Sequence, residues 1–195
     1  MSNYPKGERR RAEIVAAALT AFGTVGYRSA SMVQIAADCG VSRAGLLHHF
    51  PTKESLLEAV LKQRDRQDYE QFFRGGTSDD GLDYFSRYLR LVEHNAANPG
   101  IVSLYAMLST EASDPDHPAH AYFVERYERT RGWLRRALAD LDARGLLRVD
   151  ADGIDVEILS VIDGLQIQWL LAPSSVDMPR VLRSALSRIV TIPLP

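Results

Sequence analysis

Cysteine is nearly missing from this sequence. The 195 residues hold one, Cys39, which excludes an intramolecular disulfide and suits a reducing compartment. Long apolar runs are missing as well. Nothing approaches the ~20 consecutive apolar residues that a membrane-spanning helix needs, so no membrane partner is expected. The opening stretch MSNYPKGERRRAEIV carries charge where a secretory signal would carry an apolar segment, and a cytoplasmic protein is the expectation. Polar–apolar alternation of the strand type, internal repeats and low-complexity tracts are also lacking. These absences argue against sheet-rich, solenoid and disordered classes.

What is present reads as helix after helix. Ile14, Ala17, Ala18, Ala21 and Phe22 recur at helical spacing, with Gly26 as the stop. Ser31 to Gln34 has the form of a capping box opening a short helix that Gly40 ends. Ser42 caps a second short helix, which must finish before Pro51. Thr52 caps a long helix with Leu56, Leu57, Val60 and Leu61 on one face, running to about residue 73. The stretch GGTSDDG is a loop, and further helices are expected at roughly 80–97, 100–112, 118–144, 152–172 and 178–191. The fold class is all-α.

Charge is uneven along the chain. The net charge of −2 divides into +4 for residues 1–64 and −6 for the remainder. A basic head on an acidic body fits a polyanion-binding module joined to something else, although halves this uneven also arise by chance. Within the head, residues 32–50 satisfy the demands of a helix-turn-helix. Ala36 is small where the second helix must cross the first, and Gly40 can take the positive φ of the turn. Ile35, Cys39, Val41 and Leu46 fall on the inner face. Ser42, Arg43, Ala44, Leu47 and His48 are left on the outer face of the second helix, the one a recognition helix turns to base edges.

A metal site built on Cys39, His48 and His49 fares badly, because adjacent histidines point about 100° apart on a helix and Cys39 is spaced to face inward. Acid–base catalysis would need an orienting carboxylate, and this stretch contains none. Neither a metal nor a cofactor nor a catalytic residue is expected. His49 is read as a packing residue beside Phe50.

The stretch GYRSASMVQIAADCGVSRAGLLHHFPTKESLLEAVL resembles the DNA-binding region of the TetR family of bacterial transcriptional regulators. The matching positions are Gly26, Tyr27, Ile35, Ala36, Gly40, Val41, Ser42, Leu46, Phe50, Lys53 and Leu56. Two positions depart from the pattern. Leu47 stands where the family usually has a phosphate-binding tyrosine, and Ala44-Gly45 replaces a glycine at 44. An apolar Leu47 suits a thymine methyl. Gly45 should cost the short helix about 0.5–1 kcal/mol relative to alanine, so that it is firm only on DNA.

The resemblance implies a helix-turn-helix domain over 1–51 and a helical ligand-binding and dimerisation domain over 52–195, with helix 52–73 as connector. Electrostatics adds contacts. Lys53 stands at a helix amino terminus suited to a phosphate, and Arg28 and Ser31 are further phosphate candidates. Arg9, Arg10 and Arg11 precede the first helix in this reading, within reach of phosphates or the minor groove. Arg43 is the candidate for reading a base, since arginine pairs well with guanine.

In the body, Ile158, Ile162, Leu165, Trp169, Leu182, Leu186 and Ile189 are assigned to a homodimer interface like the family's, and Gly164 would let a partner helix approach closely. Phe85, Tyr88, Met107, Tyr127 and Gln166 are assigned to the lining of a ligand cavity. The expected activity is that of a homodimeric repressor on a palindromic operator in double-stranded DNA, released by a small hydrophobic or amphipathic effector. The alternative is a small-molecule-binding helical protein or enzyme with a vestigial helix-turn-helix.

Overall fold

The structure, a computed structural model, describes residues 6–76 and 79–194. Residues 1–5 of the expected head, Thr77 and Ser78 of the expected loop, and Pro195 lie outside the described residues. The helices are α1 (Lys6–Ser29), α2 (Met32–Asp38), α3 (Arg43–His49), α4 (Lys53–Asp68), α5 (Gly81–Ala96), α6 (Pro99–Glu111), α7 (His120–Ala143), α8 (Ile154–Leu171) and α9 (Met178–Ile189). Extended pairing among the described residues is one antiparallel bridge between Leu147 and Val190, which ties the last residues to the α7–α8 connection. The molecule is all-α.

Local chemistry sets the helix ends. Side-chain oxygens of Ser31, Ser42, Thr52, Asp80 and Asp177 accept from backbone N–H groups in the first turns of α2, α3, α4, α5 and α9. The box expected at Ser31 does not close, because Gln34 donates instead to Asp38 Oδ1 at 2.7 Å. The reciprocal pair forms at Thr52 and Ser55. Gly26 (φ 79°) and Gly40 (φ 64°) take left-handed conformations and end α1's regular run and α2. Arg9, Arg10 and Arg11 do not precede the first helix. They lie in its opening turns, because α1 already begins at Lys6. Beyond Asp68, α4 widens into a π-turn over Tyr69–Phe73.

Two cores form, and they do not follow chain order. Ile14, Phe22, Ile35, Leu46, Leu57 and Leu61 of α1–α4 share one with Leu104 and Leu108 of α6 and Phe123 of α7. Phe85, Leu89, Leu134, Leu138, Leu182 and Leu186 belong to the other, between α5, α7, α8 and α9. Helices α1 and α6 meet backbone to backbone. A Cβ on Gly23 would stand 2.9 Å from the Gly100 carbonyl oxygen, so only glycine allows this crossing.

The last two helices correct the expected interface. Ile158 (3% exposed), Ile162 (6%), Leu165 (7%), Trp169 (8%), Leu182 (0%) and Leu186 (0%) are buried in their own subunit, and Ile189 is packed against the same core. Helix α8 is apolar on both sides, and periodicity alone cannot say which stripe faces home. The stripe left outside carries Val156 (44%), Val161 (37%), Ile167 (49%) and Leu171 (81%). Ser160 and Gly164 lie between them on the same face.

Candidate functional site

Two features of the molecule hold chemistry beyond packing: the outer face of α3 and a cavity inside the body.

Helix α3 is fixed from below by Leu46, which is fully buried, and from its start by Ser42, whose Oγ accepts from Gly45 N at 3.0 Å. Val41 N donates to Ala36 O at 2.9 Å, closing the turn over the buried Ala36. Ser42, Arg43, Ala44 and His48 are exposed, and Leu47 is half-buried. The half-buried His49 places its ring edge-on to that of His48, with centroids 5.5 Å apart. Arg43 has no acidic partner among the described residues. A Cβ on Gly45 would stand 3.3 Å from Ser42 Oγ, so the glycine that weakens the helix also leaves room for its cap.

The other expected contacts are occupied within the molecule. Lys53 Nζ donates to Arg28 O at 3.0 Å and lies 4.6 Å from the Tyr27 ring centroid. Burial lowers its pKa. Arg28 Nε is 3.4 Å from Glu111 Oε1 on α6. Ser31 is exposed and spends its oxygen on Val33 N. Arg10 donates to Cys39 O at 3.3 Å, and the Arg11 guanidinium covers the Phe50 ring at 4.6 Å. The Cys39 thiol donates to Ile35 O at 2.8 Å, and burial pushes its pKa up. No group of three metal-ligating side chains occurs among the described residues.

The body encloses a cavity of about 450 Å³ between α4, α5, α6, α7 and α8, a size suited to a small molecule. Of the residues assigned to a ligand cavity, Tyr88, Tyr127 and Gln166 are on its wall. Phe85 and Met107 are not. Phe85 is 0% exposed and faces the core on the other side of α5. Met107 is 50% exposed on the outside of α6, with its Cε near Gly26 at the joint with α1. Residue type suggests both, but it does not fix which side of a helix looks inward.

Charged residues missing from the sequence reading give the cavity its character. Asp65 of α4 accepts from both Arg126 and Arg129 of α7, the latter at 2.6 Å. Tyr105 donates to Leu61 O at 3.2 Å and lies 3.1 Å from the Tyr122 hydroxyl, and its ring carries the Arg126 guanidinium at 4.8 Å. Burial pulls the Arg126 pKa down, but neighbouring groups including Asp65 more than offset it and keep the guanidinium charged. Arg64 is buried against Asp68 and donates to Asn95 Oδ1 at 2.8 Å. Asp163 differs from the other carboxylates. Among the described residues its one hydrogen bond is from Tyr127 Oη at 2.7 Å, and burial pushes its pKa up. A usable signal existed in ERYERTRGW, where Arg126, Arg129 and Trp133 follow one another at helical spacing.

Both ends of the chain resemble known proteins. A family model described as "Bacterial regulatory proteins, tetR family" matches residues 14–60. A second, "BetI-type transcriptional repressor, C-terminal", matches residues 106–191. The chain is 27% identical over 181 residues to the HTH-type transcriptional regulator TtgR of Pseudomonas putida, covering 89% of this chain and 86% of that protein. It is 43% identical over 63 residues to the regulator RutR of Escherichia coli, covering 29% and 30% of the two chains. A transcriptional regulator from Saccharomonospora viridis, solved in complex with choline, superposes with a TM-score of 0.81 over 95% of this chain and 100% of that one, at 21% identity. At that identity the likeness is one of fold.

Proposed function

We propose that this chain, which belongs to the TetR family of bacterial regulatory proteins, acts as a repressor that lets go of its operator when the cavity fills. It is a DNA-binding, ligand-responsive transcriptional regulator. The repressing sign, the two-fold operator and the contacts of individual residues are our reading.

The observation that carries it is the path from cavity to head. Helix α4 contributes Leu57 and Leu61 to the core beneath α3 and, one turn later, Asp65 to the cavity wall. Whatever displaces Arg126 or Arg129 therefore pulls on the helix that supports the recognition face. Arg43 is assigned to a base edge, Ser42, Ala44, Leu47 and His48 to flanking contacts, and Ser31, Arg28 and Lys53 to phosphates. Arg28 and Lys53 reach phosphate only by exchanging partners with Glu111 and the Arg28 carbonyl.

Two copies are needed to span two major grooves about 34–36 Å apart. The surface offered for that pairing is the outer stripe of α8 around Gly164, where an added Cβ would meet nothing within 4 Å.

The test is fluorescence anisotropy with the DNA upstream of its own coding sequence, at two salt concentrations. Tight binding that weakens steeply with salt, and that Arg43→Ala reduces on this DNA but not on random duplex, supports a sequence-reading repressor. Binding equal to random duplex, persisting through selection from a random oligonucleotide pool, would sink it.

A further inference from the structure

Five aromatic rings run along the cavity wall in unbroken contact. Tyr69 lies 6.3 Å from Trp133, Trp133 lies 6.3 Å from Phe73 at an interplanar angle of 24°, and Phe73 lies 5.5 Å from Tyr84. Tyr84 lies 6.0 Å from Tyr88 at 14°. Tyr69 is exposed at one end and Tyr88 is buried at the other, so the row leads from solvent inward. The π-turn contributes to it, since its first and last residues, Tyr69 and Phe73, both lie on the wall.

Tyr84 and Asp163 on this wall lack what their burial demands, and the buried Arg64 Nε on the same lining has no hydrogen-bond partner among the described residues either. Tyr84 is 2% exposed and its hydroxyl has no hydrogen-bond partner among the described residues, a costly state for a buried polar atom. Asp163 has no cation at ion-pair distance among the described residues and feels Arg126 only from further off, whereas Asp65 holds two arginines, Asp68 holds Arg64 and Glu125 holds Arg129. The guanidiniums of Arg64, Arg126 and Arg129 are thus already matched, Arg66 on the lining is solvent-exposed, and Asp163 is the shielded charge left without an ion pair.

We infer that the cavity takes an elongated aromatic amine, its ring system laid along the Tyr69–Tyr88 row and its protonated nitrogen against Asp163. The inference rests on the body being an effector-binding domain and adds the chemistry of the effector. A cation there meets a carboxylate in a partly desolvated site, with aromatic faces beside it. It also bears on the connecting helix. Arg126 feels both Asp163 and Asp65. An ammonium that neutralises Asp163 leaves Arg126 to the Asp65 carboxylate of α4.

The experiment is isothermal titration of the full-length protein, without DNA, with three probes of one shape: naphthylethylamine, naphthylethanol and naphthylacetate. The amine should bind tightest, roughly tenfold or more ahead of the alcohol, with the acid weakest. Asp163→Asn should bring the amine down to the alcohol, and Trp133→Ala should weaken all three while keeping their order. An acid as tight as the amine would hand recognition to Arg126 and Arg129 and overturn the assignment. So would an amine no tighter than the alcohol, or a preference that survives Asp163→Asn in a folded variant. If that variant does not fold, the wild-type order decides. Failure of all three to bind overturns the aromatic row as well. Because no DNA is present, a failed operator assay and a failed titration remain separate results.

Discussion

Asp163 and Asp155 are both shielded carboxylates on α8, and they respond to acid in opposite senses. Burial alone would raise both. At Asp155 the hydrogen bonds from Arg131 and Arg135 and their charges outweigh it and leave the pKa below the usual carboxylate range. Its contribution to stability is therefore present above about pH 4 and lost as pH falls through the depressed folded value. Asp155→Asn should lower the urea midpoint at pH 7 and flatten that acid loss. Asp163 has the raised value, so the empty protein carries a penalty that grows as pH rises from about 4 through the folded pKa. Asp163→Asn should accordingly stabilise the empty protein at pH 7, on the order of 1 kcal/mol, with the gain vanishing in acid. A midpoint that moves the other way in urea titrations at pH 7 would contradict the reading of Asp163 as unmatched. Asp65→Asn has the reverse effect, since it strips two guanidiniums of their carboxylate. About 2 kcal/mol of destabilisation is expected, seen as a lower urea midpoint at unchanged slope. The arginine stripe of ERYERTRGW was legible in the sequence, but the carboxylates it meets were not. Asp65 and Arg126 are 61 positions apart, and periodicity says which residues share a face but not which faces meet.

Individual helices were far more readable. Caps at Ser42 and Thr52, stops at Gly26 and Gly40, and the break before Pro51 are local chemistry, and local chemistry is what a sequence displays. The readings that shifted depended on something else. The inward stripes of α8 and of α5 required knowing where the neighbours lie, and the π-turn has no residue signature. The α1–α6 crossing is of the same kind, because Gly23 and Gly100 look like ordinary helix-weakening residues until they are seen touching. Gly23→Ala should raise intrinsic helix propensity yet destabilise the protein by about 1–3 kcal/mol, since the added methyl meets backbone that cannot yield. A higher thermal midpoint for Gly23→Ala would show that the helices part easily.

For the whole molecule the testable quantity is association. The outer stripe of α8 exposes Ile167 at 49% and Leu171 at 81%, more apolar surface than a solitary helix face keeps without reason. The double substitution Ile167→Glu with Leu171→Glu should leave the helical content and the body's core intact. It should halve the mass measured by light scattering, and operator affinity should fall with it, because each head makes few contacts alone. An unchanged mass would overturn the stripe as a pairing surface.

The shared core of head, α6 and α7 also bears on modularity. Leu104, Leu108 and Phe123 close the core beneath the helix-turn-helix, so a chimera spliced at the start of α4 would graft a head onto the wrong floor. Exchanging DNA specificity between relatives would then succeed by rewriting the α3 surface rather than by swapping the first quarter of the chain. Over evolutionary time, the same constraint would make the recognition face the part that drifts freely, while the joint behind it changes only in concert.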